Sequence, residues 1–478
     1  MAAEDHRKWW LLGAMSGVLG LIVLDETIVT VSLPTISAEL GLSVAAAHWV
    51  VNAYLLSFTC SVAIAGRYGD RFSRRSYFTI GALLFALASL LAAVAWDGAV
   101  LIAARALQGV AAAIVFPTSL ALITAAFTTQ QRGLAFGYQT MVGGIFMASG
   151  PFIGGFLTET VSWRAIFWIG VPVVLGIVAV LWRVWSPAYD PEMRGRGSDG
   201  TGQDVLGPVC LVLALLGLVV SIMQGPSWGW GAPTTLGLFV LGWALTGMFV
   251  FRALSHPAPL LDLSLMKIPE FSGGVLIFAL FQLEKIALFL FVAQFFQDVL
   301  GKSPMISGAA VSLAILPTLG TSVLVGKAAD RYGSRRVLMT GAACHGAAIL
   351  LLAIAASYQS FALAVVPLVL WGASMPSLAI PVRRVQMNQV PQHKHGQANG
   401  INLTIQMLGG CMGLAICSAF LSETHSYAWL FALVGLATLA VVPIAGRTIE
   451  RQKRGSYWYL CGLNRWSRCF NCLVCYGY

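Results

Sequence analysis

The sequence GRYGDRFSRRS, at residues 66–76, returns in altered form as GKAADRYGSRR at residues 326–336. Each copy follows the second apolar run of a block of six such runs. Two related six-helix halves around a central site are the architecture of secondary transporters, so the repeat predicts a duplicated fold. At one constant offset, four positions of the first copy match four of the second, namely Gly66, Asp70, Arg71 and Arg75 with Gly326, Asp330, Arg331 and Arg335.

The composition indicates a membrane protein. Of the 478 residues, 58% are hydrophobic and only 10% are charged, whereas about a quarter of the residues in a soluble domain are charged. Fourteen apolar runs lie between residues 9 and 445, each of about the length that crosses a bilayer as a helix. The sequence therefore predicts an all-α polytopic protein with 14 transmembrane helices: two six-helix pseudo-repeats plus a two-helix insert.

The distribution of positive charge predicts the topology. With the N-terminus inside, all but four of the 29 Lys and Arg residues lie on the cytoplasmic side. Only Arg164 and Lys302 lie on the other side, while Arg105 and Lys285 lie within spans. This positive-inside asymmetry accounts for the net charge of +10 without a nucleic-acid partner. We expect a multi-pass protein of the plasma (bacterial inner) membrane, with the first span retained and both termini cytoplasmic.

A polar segment rich in Pro, Gly and charge, VWSPAYDPEMRGRGSDGTGQ, divides the chain. We therefore predict five regions. They are an N-terminal six-helix half (9–182), a cytoplasmic linker (183–204), a two-helix insert (205–251), a C-terminal six-helix half (270–445) and a cytoplasmic tail (446–478).

The repeated loops have two interpretations. Basic residues alone would follow from topology. The Gly and the Asp-Arg pair found in both copies favour a cytoplasmic latch, in which the acid pairs with an Arg or with the N-terminus of a neighbouring helix and holds one conformation. We expect Gly66 and Gly326 to lie at helix ends, where a residue without a side chain permits a close turn.

Four motifs, each on its expected span, resemble the major facilitator superfamily, specifically its fourteen-span drug:proton antiporter branch. The loop GRYGDRFSRRS is similar to the superfamily's signature after the second span. LDETIVTVSLP is similar to the first-span motif of the branch, whose acid matches Asp25. RALQGVAAA resembles the fourth-span motif. SGPFIGGFL resembles the fifth-span antiporter motif and matches its Gly and Pro positions at Gly150, Pro151, Gly154 and Gly155.

Three features depart from the expected pattern. The second copy of the loop lacks the Gly that precedes the Asp-Arg pair in the first. Glu26 stands where the branch usually has Asn or another small polar residue, and Gly170 stands where it often has Asn. These departures bear on the choice of substrate.

Charged residues within spans are the candidates for proton coupling. A charge at bilayer depth costs at least about 2.5 kcal/mol, so Asp25, Glu26 and Glu284 should each face a watery cavity or a partner. The motif favours Asp25 as the coupling acid; the alternative is a structural pair with an Arg. Glu284 is a second candidate for protonation or cation binding. Arg105 would be a fixed positive charge that times proton release, or else an Arg that snorkels to the interface.

Other polar residues within spans are candidates for a substrate cavity, namely Gln108, Gln294, Asn402 and Gln406. On the thirteenth span, the stripe that includes Asn402 and Gln406 continues as glycines, which predicts a cavity above and close packing below. In the fifth span, Gly150 and Gly154 form a small-xxx-small face. With Pro151, they predict a dry, bendable seam that seals one side.

No metal or cofactor is expected. The tail sequence CFNCLVC has zinc-like spacing on its first Cys pair, Cys469 and Cys472, but a structural zinc needs four ligands. We assign no function to the tail cysteines. The seven histidines are scattered along the sequence, which disfavours a membrane-embedded transferase, the hypothesis from another functional class.

The resemblance and the intramembrane acids together predict a proton-coupled exporter of hydrophobic small molecules, whether or not they carry a positive charge. Its partners would be that substrate, protons and the lipid bilayer. The alternative on the same fold is a proton-coupled importer of a nutrient or an anionic metabolite, for which Arg105 and Lys285 could serve an anionic substrate.

Overall fold

The computed structural model describes residues 2–69, 72–185, 204, 206–256, 261–391 and 394–449. Their regular secondary structure is entirely helical. The helices of the N-terminal part are α1 (Ala2–Leu40), α2 (Val44–Gly69), α3 (Arg74–Ala93), α4 (Gly98–Ala126), α5 (Thr129–Thr160), α6 (Ala165–Trp168) and α7 (Gly170–Val184). The next helices are α8 (Leu206–Trp228) and α9 (Pro233–Ser255), followed by a 3₁₀ helix (Leu263–Lys267).

The C-terminal part contains eight α-helices. They are α10 (Pro269–Gln294), which continues as a π-helical turn (Phe295–Val299), α11 (Pro304–Ile315), α12 (Pro317–Tyr332), α13 (Ser334–Ser357), α14 (Phe361–Gln389), α15 (His395–Thr424), α16 (Tyr427–Leu439) and α17 (Val441–Thr448). Pro317 separates α11 from α12 because it cannot donate the backbone hydrogen bond of a continuous helix.

Fourteen segments of the described chain are long and apolar enough to cross a membrane, which confirms the predicted number. Three of them, the sixth, tenth and fourteenth, combine two consecutive helices each: α6 with α7, α11 with α12, and α16 with α17. The first span, His6–Leu40, extends beyond the apolar run that predicts it. The protein is therefore a multi-pass membrane protein.

Helix packing repeats after eight spans. In the N-terminal half, α1 packs against α5, α2 against α4, and α3 against α4 and α7. In the C-terminal half, α10 packs against α15, α12 against α14, and α13 against α14 and α16. Each pair in one half thus has a counterpart in the other, which confirms the two pseudo-repeats.

Two seams join the halves. One lies between α5 and α11, and the other between α2 and α15. The inserted helices α8 and α9 pack against each other, and α8 also contacts α2 and α15 beside the second seam. The proposed linker and tail lie almost wholly outside the described residues, so the boundaries of the five regions stay a prediction.

The α5–α11 seam is closed at one end only. On the side away from the N-terminus, the Phe152 amide donates to Ser312 Oγ at 2.9 Å, and the Met305 amide donates to Glu159 Oε2 at 3.0 Å. Midway along α5, a Cβ added at Gly144 would still lie 3.0 Å from Leu319 Cδ2 of α12, but nearer the N-terminal side one added at Gly137 would meet no atom within 4 Å. The halves therefore meet away from the N-terminus and diverge towards it.

Candidate functional site

Asp25 lies in a buried polar network between α1 and α4. Arg105 Nη1 is 2.6 Å from Asp25 Oδ2, and it also donates to Gln108 Oε1 at 2.6 Å. The Gln108 amide nitrogen donates to Asp25 Oδ1 at 3.3 Å and to Ser89 Oγ at 2.9 Å. Arg105 and Gln108 reach the same acid because residues three apart share one face of a helix. The structure thus brings together the two motifs that the sequence places on the first and fourth spans.

Neighbouring helices hold the Arg105 guanidinium in place. Its Nε donates to the Val50 carbonyl at 3.1 Å, and its centre lies 4.4 Å from the ring centroid of Tyr54 and 5.9 Å from that of Phe167. The side chain is only 1% exposed, which excludes the snorkelling alternative in this conformation. Arg105 is therefore a fixed charge whose partner is Asp25. Removing one member of such a buried pair typically costs 3–5 kcal/mol.

A small void borders the network. It is lined by Asp25, Gln108, Ser89 and apolar side chains from the helices of the N-terminal half, among them Phe85 and Ile166. It has room for about one water molecule. The acid therefore has a place for a hydrating water on the side that the guanidinium leaves open.

Glu26 points to a different region, as expected for neighbours on a helix. It is half-buried, and so is Lys285 on α10. The positive charge of Lys285 acts on Glu26 more strongly than that of Arg105 does. Glu26 has no ion pair with another described residue, and Lys285 lies on the first span of the other half.

Glu284 forms a second buried network in the C-terminal half. Its Oε1 lies 2.9 Å from His345 Nε2, and its Oε2 accepts from Trp371 Nε1 at 2.9 Å. His345 Nδ1 lies 2.7 Å from Ser374 Oγ. Glu284 and His345 have side chains 1% and 0% exposed. Glu284 therefore has a partner inside the membrane, and that partner is itself titratable.

Sequence reasoning missed His345, Trp371 and Ser374. A lone His inside an apolar span, GAACHGAAILLL, was the available signal. This signal is weak because no residue close to His345 in the sequence is its hydrogen-bond partner. The partners of His345 lie on α10 and α14. The same holds for His48, which is buried at the start of α2 and hydrogen-bonds across the seam to Ser418 and Gln294.

In this conformation three of the four predicted cavity residues are buried against protein neighbours, so their role in a substrate cavity stays a prediction. Gln108 is 2% exposed and binds Asp25, Gln294 is 7% exposed and binds His48, and Asn402 is 8% exposed and accepts from Gln386. Each amide satisfies a buried polar neighbour instead of facing open space. Gln406 is half-buried and donates to Gln282 Oε1 at 3.3 Å.

The glycines of the antiporter motif allow close packing on two sides. A Cβ at Gly150 would collide with Thr27, and one at Gly154 would lie 2.6 Å from the Ile28 carbonyl oxygen, so α5 touches the α1 backbone. On the opposite face of α5, Gly155 meets the Pro304 carbonyl, and the Pro151 carbonyl meets Gly308 of α11. In this structure the small residues of α5 lie at helix contacts, and α5 continues as a helix through Pro151.

The predicted latch is only partly described. Asp70 and Arg71 lie outside the described residues. The Arg75 guanidinium lies 3.9 Å from the ring centroid of Trp182, and Asp330 pairs with Arg384. These contacts lie within single halves. Arg331 lies over the ring of Tyr332, its neighbour in the chain.

The expectation that the latch glycines end helices is wrong. Gly66 lies inside α2 and Gly326 inside α12. In the second copy the turn residue is Gly333, which ends α12 with a φ of 87°, a conformation that residues with side chains rarely adopt.

A protein-family model matches most of the chain. The model of the Major Facilitator Superfamily matches residues 15–414 and, in a second alignment, residues 275–460. The chain belongs to the Major Facilitator Superfamily. As a member of this transporter superfamily, it acts on small-molecule substrates.

Relatives in the superfamily cover most of the chain. The puromycin resistance protein pur8 of Streptomyces alboniger is 32% identical over 86% of this chain and 81% of its own length. The tetracenomycin C resistance and export protein of Streptomyces glaucescens is 28% identical over 87% of this chain and 76% of its own length. The fold is similar to that of the xylose transporter XylE from E. coli in a partially occluded inward-open conformation. That match has a TM-score of 0.65 at 13% identity and covers 93% of this chain and 98% of the other.

Proposed function

We propose that this protein is a proton-coupled exporter of hydrophobic, drug-like small molecules in the plasma membrane, with both termini in the cytoplasm. Relatives named for drug resistance and export support the export of such compounds. The observation that carries proton coupling is the buried contact of Asp25 with Arg105 and Gln108.

In this proposal, Asp25 exchanges Arg105 for a proton. The carboxylate accepts from Arg105 and Gln108 in the present conformation, so its charge is balanced and no bound proton is needed. When the outer side opens, a proton reaches Asp25 and replaces the guanidinium as its neutralising partner. In the proton-bound state, Asp25 is neutral and Arg105 is no longer paired with it. When the halves rock back, the proton is released on the cytoplasmic side.

The seams supply the gate. With the N-terminus in the cytoplasm, the open end of the α5–α11 seam faces the cytoplasm and the closed end faces out. The present conformation is then inward-facing. Gly155 and Gly308 close the outer end because each lets the facing backbone approach to contact distance. Rocking would transfer the gap from one end of the seam to the other.

The bound substrate would lie between the halves. Glu26 and Lys285 are half-buried and lie on the first spans of the two halves, α1 and α10, which contact each other. A hydrophobic cation would be held by Glu26.

The alternative is proton-coupled import of an anionic nutrient, which the half-buried Lys285 favours. The direction of transport separates the two proposals. In proteoliposomes loaded with ethidium, a hydrophobic cation, acidification of the outside should drive ethidium out if the protein is an exporter. Movement of an anionic solute into the vesicles under the same gradient would support import.

The coupling role of Asp25 needs a matched control. Asp25→Asn keeps the size of the side chain but removes its titration and replaces one accepting oxygen with a donating amide, and it should abolish efflux driven by a pH gradient. Glu26→Gln makes the same chemical change one residue away and should alter affinity for cations while gradient-driven efflux persists. Unchanged efflux in Asp25→Asn would contradict the assignment.

A further inference from the structure

The first turn of α11 is capped from the other half of the molecule. The first amides of a helix have no acceptor within that helix. In α11, Pro304 has no amide hydrogen, and the Ile306 amide donates to Ser303 Oγ at 3.3 Å. The Met305 amide instead donates to Oε2 of Glu159, near the end of α5, at 3.0 Å. One backbone amide of the C-terminal half therefore depends on a carboxylate of the N-terminal half.

The charge of Glu159 suits this position. A negative charge is stabilised at the N-terminus of a helix, where the helix dipole is positive. The Ser303 hydroxyl, at the start of the same helix, also interacts with the Glu159 carboxylate. Lys302, the described cation nearest to α11 in the sequence, lies 5.5 Å from the ring centroid of Phe361 at the start of α14. No Lys or Arg of the described chain forms an ion pair with Glu159, so its charge acts mainly on the N-terminus of α11.

Helix packing places Glu159 at the end of α11. Gly155 lies four residues earlier on the same face of α5, and a Cβ added there would lie 2.2 Å from the Pro304 carbonyl oxygen. The two backbones thus touch at Gly155, and the exposed side chain of Glu159 reaches across the seam one turn further on. Separation of the helices at this end would break the hydrogen bond from the Met305 amide and leave the cap within α11 in place.

We propose that Glu159 is a latch of the outer gate: its carboxylate caps α11 across the seam and holds the halves together at the end away from the N-terminus. The hydrogen bond is made in the inward-facing conformation. When the outer end opens, water replaces the carboxylate at the Met305 amide. This role rests on the rocking of the halves proposed above, but on neither the coupled proton nor the direction of transport. A charged side chain thereby adds to the closure that Gly155 and Gly308 make by packing.

Distances between spin labels, measured by double electron–electron resonance on the purified protein, test the latch without a substrate or a proton gradient. An outer pair of labels would replace Trp96 and Tyr358, and an inner pair would replace Leu134 and Tyr332, all of which are exposed. Labels attached to genetically encoded p-acetylphenylalanine leave the native cysteines in place. Glu159→Ala removes both the acceptor and the charge, and it should raise the ratio of open to closed outer ends about fivefold. Glu159→Gln keeps an accepting oxygen but loses the charge, and it should raise that ratio about twofold.

The inner pair and a second outer carboxylate separate a latch from local loosening. If the halves rock, the inner labels must approach each other as the outer labels separate. Glu39→Gln is the matched control, because Glu39 accepts from Trp163 Nε1 at 2.7 Å and pairs with Arg164, and all three residues lie within the N-terminal half. It should leave both distance distributions unchanged.

Three results would overturn the latch. The first is a wild-type distance distribution in folded Glu159→Ala. The second is a change at the outer pair alone, which would show a local loosening of α11. The third is a shift in Glu39→Gln as large as that in Glu159→Gln, which would mean that the loss of any outer carboxylate has this effect. If the wild type shows no proton-driven efflux, the proposed function fails while these distances still decide the role of Glu159.

Discussion

The two halves of the molecule stabilise a buried acid with different partners. Each has a buried acid on its first span, Asp25 on α1 and Glu284 on α10. In the N-terminal half the neutralising partner is Arg105, a guanidinium that is always charged. In the C-terminal half it is His345, whose charge depends on a proton. A duplicated scaffold therefore places a permanent counter-charge in one half and a titratable one in the other.

The difference teaches how each site should respond to mutation. A fixed ion pair has no way to adjust when one member is removed, because the remaining charge stays buried. An acid–imidazole pair can adjust by moving or losing its proton. The two networks have similar burial, so the comparison isolates the nature of the counter-charge.

The largest expected effect follows from breaking the fixed pair. Arg105→Gln leaves the Asp25 carboxylate buried without a cation, and we expect it to destabilise the protein by about 3–5 kcal/mol. Thermal unfolding in detergent measures the loss. The double variant Asp25→Asn with Arg105→Gln should recover most of it, because no charge remains. Equal destabilisation of the single and double variants would contradict the fixed-pair account.

His345→Gln should cost less than Arg105→Gln. The amide of Gln can still donate to Glu284 Oε1, so we expect a loss of about 1–3 kcal/mol, as for a disturbed buried hydrogen bond. Thermal unfolding in detergent measures this loss. A cost as large as that of Arg105→Gln would contradict the distinction between the two partners.

The two halves differ in the partners of their buried acids but pack their helices alike. Overpacking substitutions at equivalent helix contacts should therefore have similar costs in the two halves. Gly154 on α5 faces the Ile28 carbonyl oxygen, and Gly413 on α15 faces Leu283 Cα at 2.7 Å from an added Cβ. Valine at either position should therefore cost about 1–3 kcal/mol through overpacking. Gly143→Val, at a position with open space beside it, is the control and should cost much less. Unequal costs at Gly154 and Gly413 would show that the symmetry of the packing is only approximate.

The smallest effect concerns an ion pair outside the membrane. Hydrogen bonds from Ser264 and from Lys394 hold the pKa of Asp262 below its usual range. Because the folded-state pKa is depressed, this stability is present above the ordinary pKa and is lost as pH falls through the folded value. We expect less than about 1 kcal/mol for this partly exposed pair. Asp262→Asn should flatten the stability of the protein between pH 5 and pH 3, measured by chemical unfolding; a curve like that of wild type would exclude the contribution.

The fold could be read from the sequence because each span is a long apolar run with its own length signal. Positive charge on the connecting loops predicts the orientation of the spans, and the repeat at residues 66–76 and 326–336 relates the two halves. The contact of Asp25 with Arg105 and Gln108 could be anticipated from two motifs.

The C-terminal network could not be anticipated in this way. Glu284, His345 and Trp371 lie on three spans that are far apart in sequence, and no local pattern links them. The neighbours of the predicted cavity residues could not be anticipated from the sequence either. A polar residue in a span must satisfy its hydrogen bonds, and sequence alone does not show whether water or another side chain does so. Gln294 and Asn402 found protein partners.

The central claim is that the Asp25 carboxyl group gains and loses a proton as the protein changes conformation. Its most direct test is infrared difference spectroscopy of the reconstituted protein as external pH is lowered, comparing wild type with Asp25→Asn. The account predicts a protonated-carboxyl band in wild type that is absent in Asp25→Asn and present in Glu26→Gln. A wild-type spectrum identical to that of Asp25→Asn would mean that Asp25 stays ionised beside Arg105, and would contradict the claim.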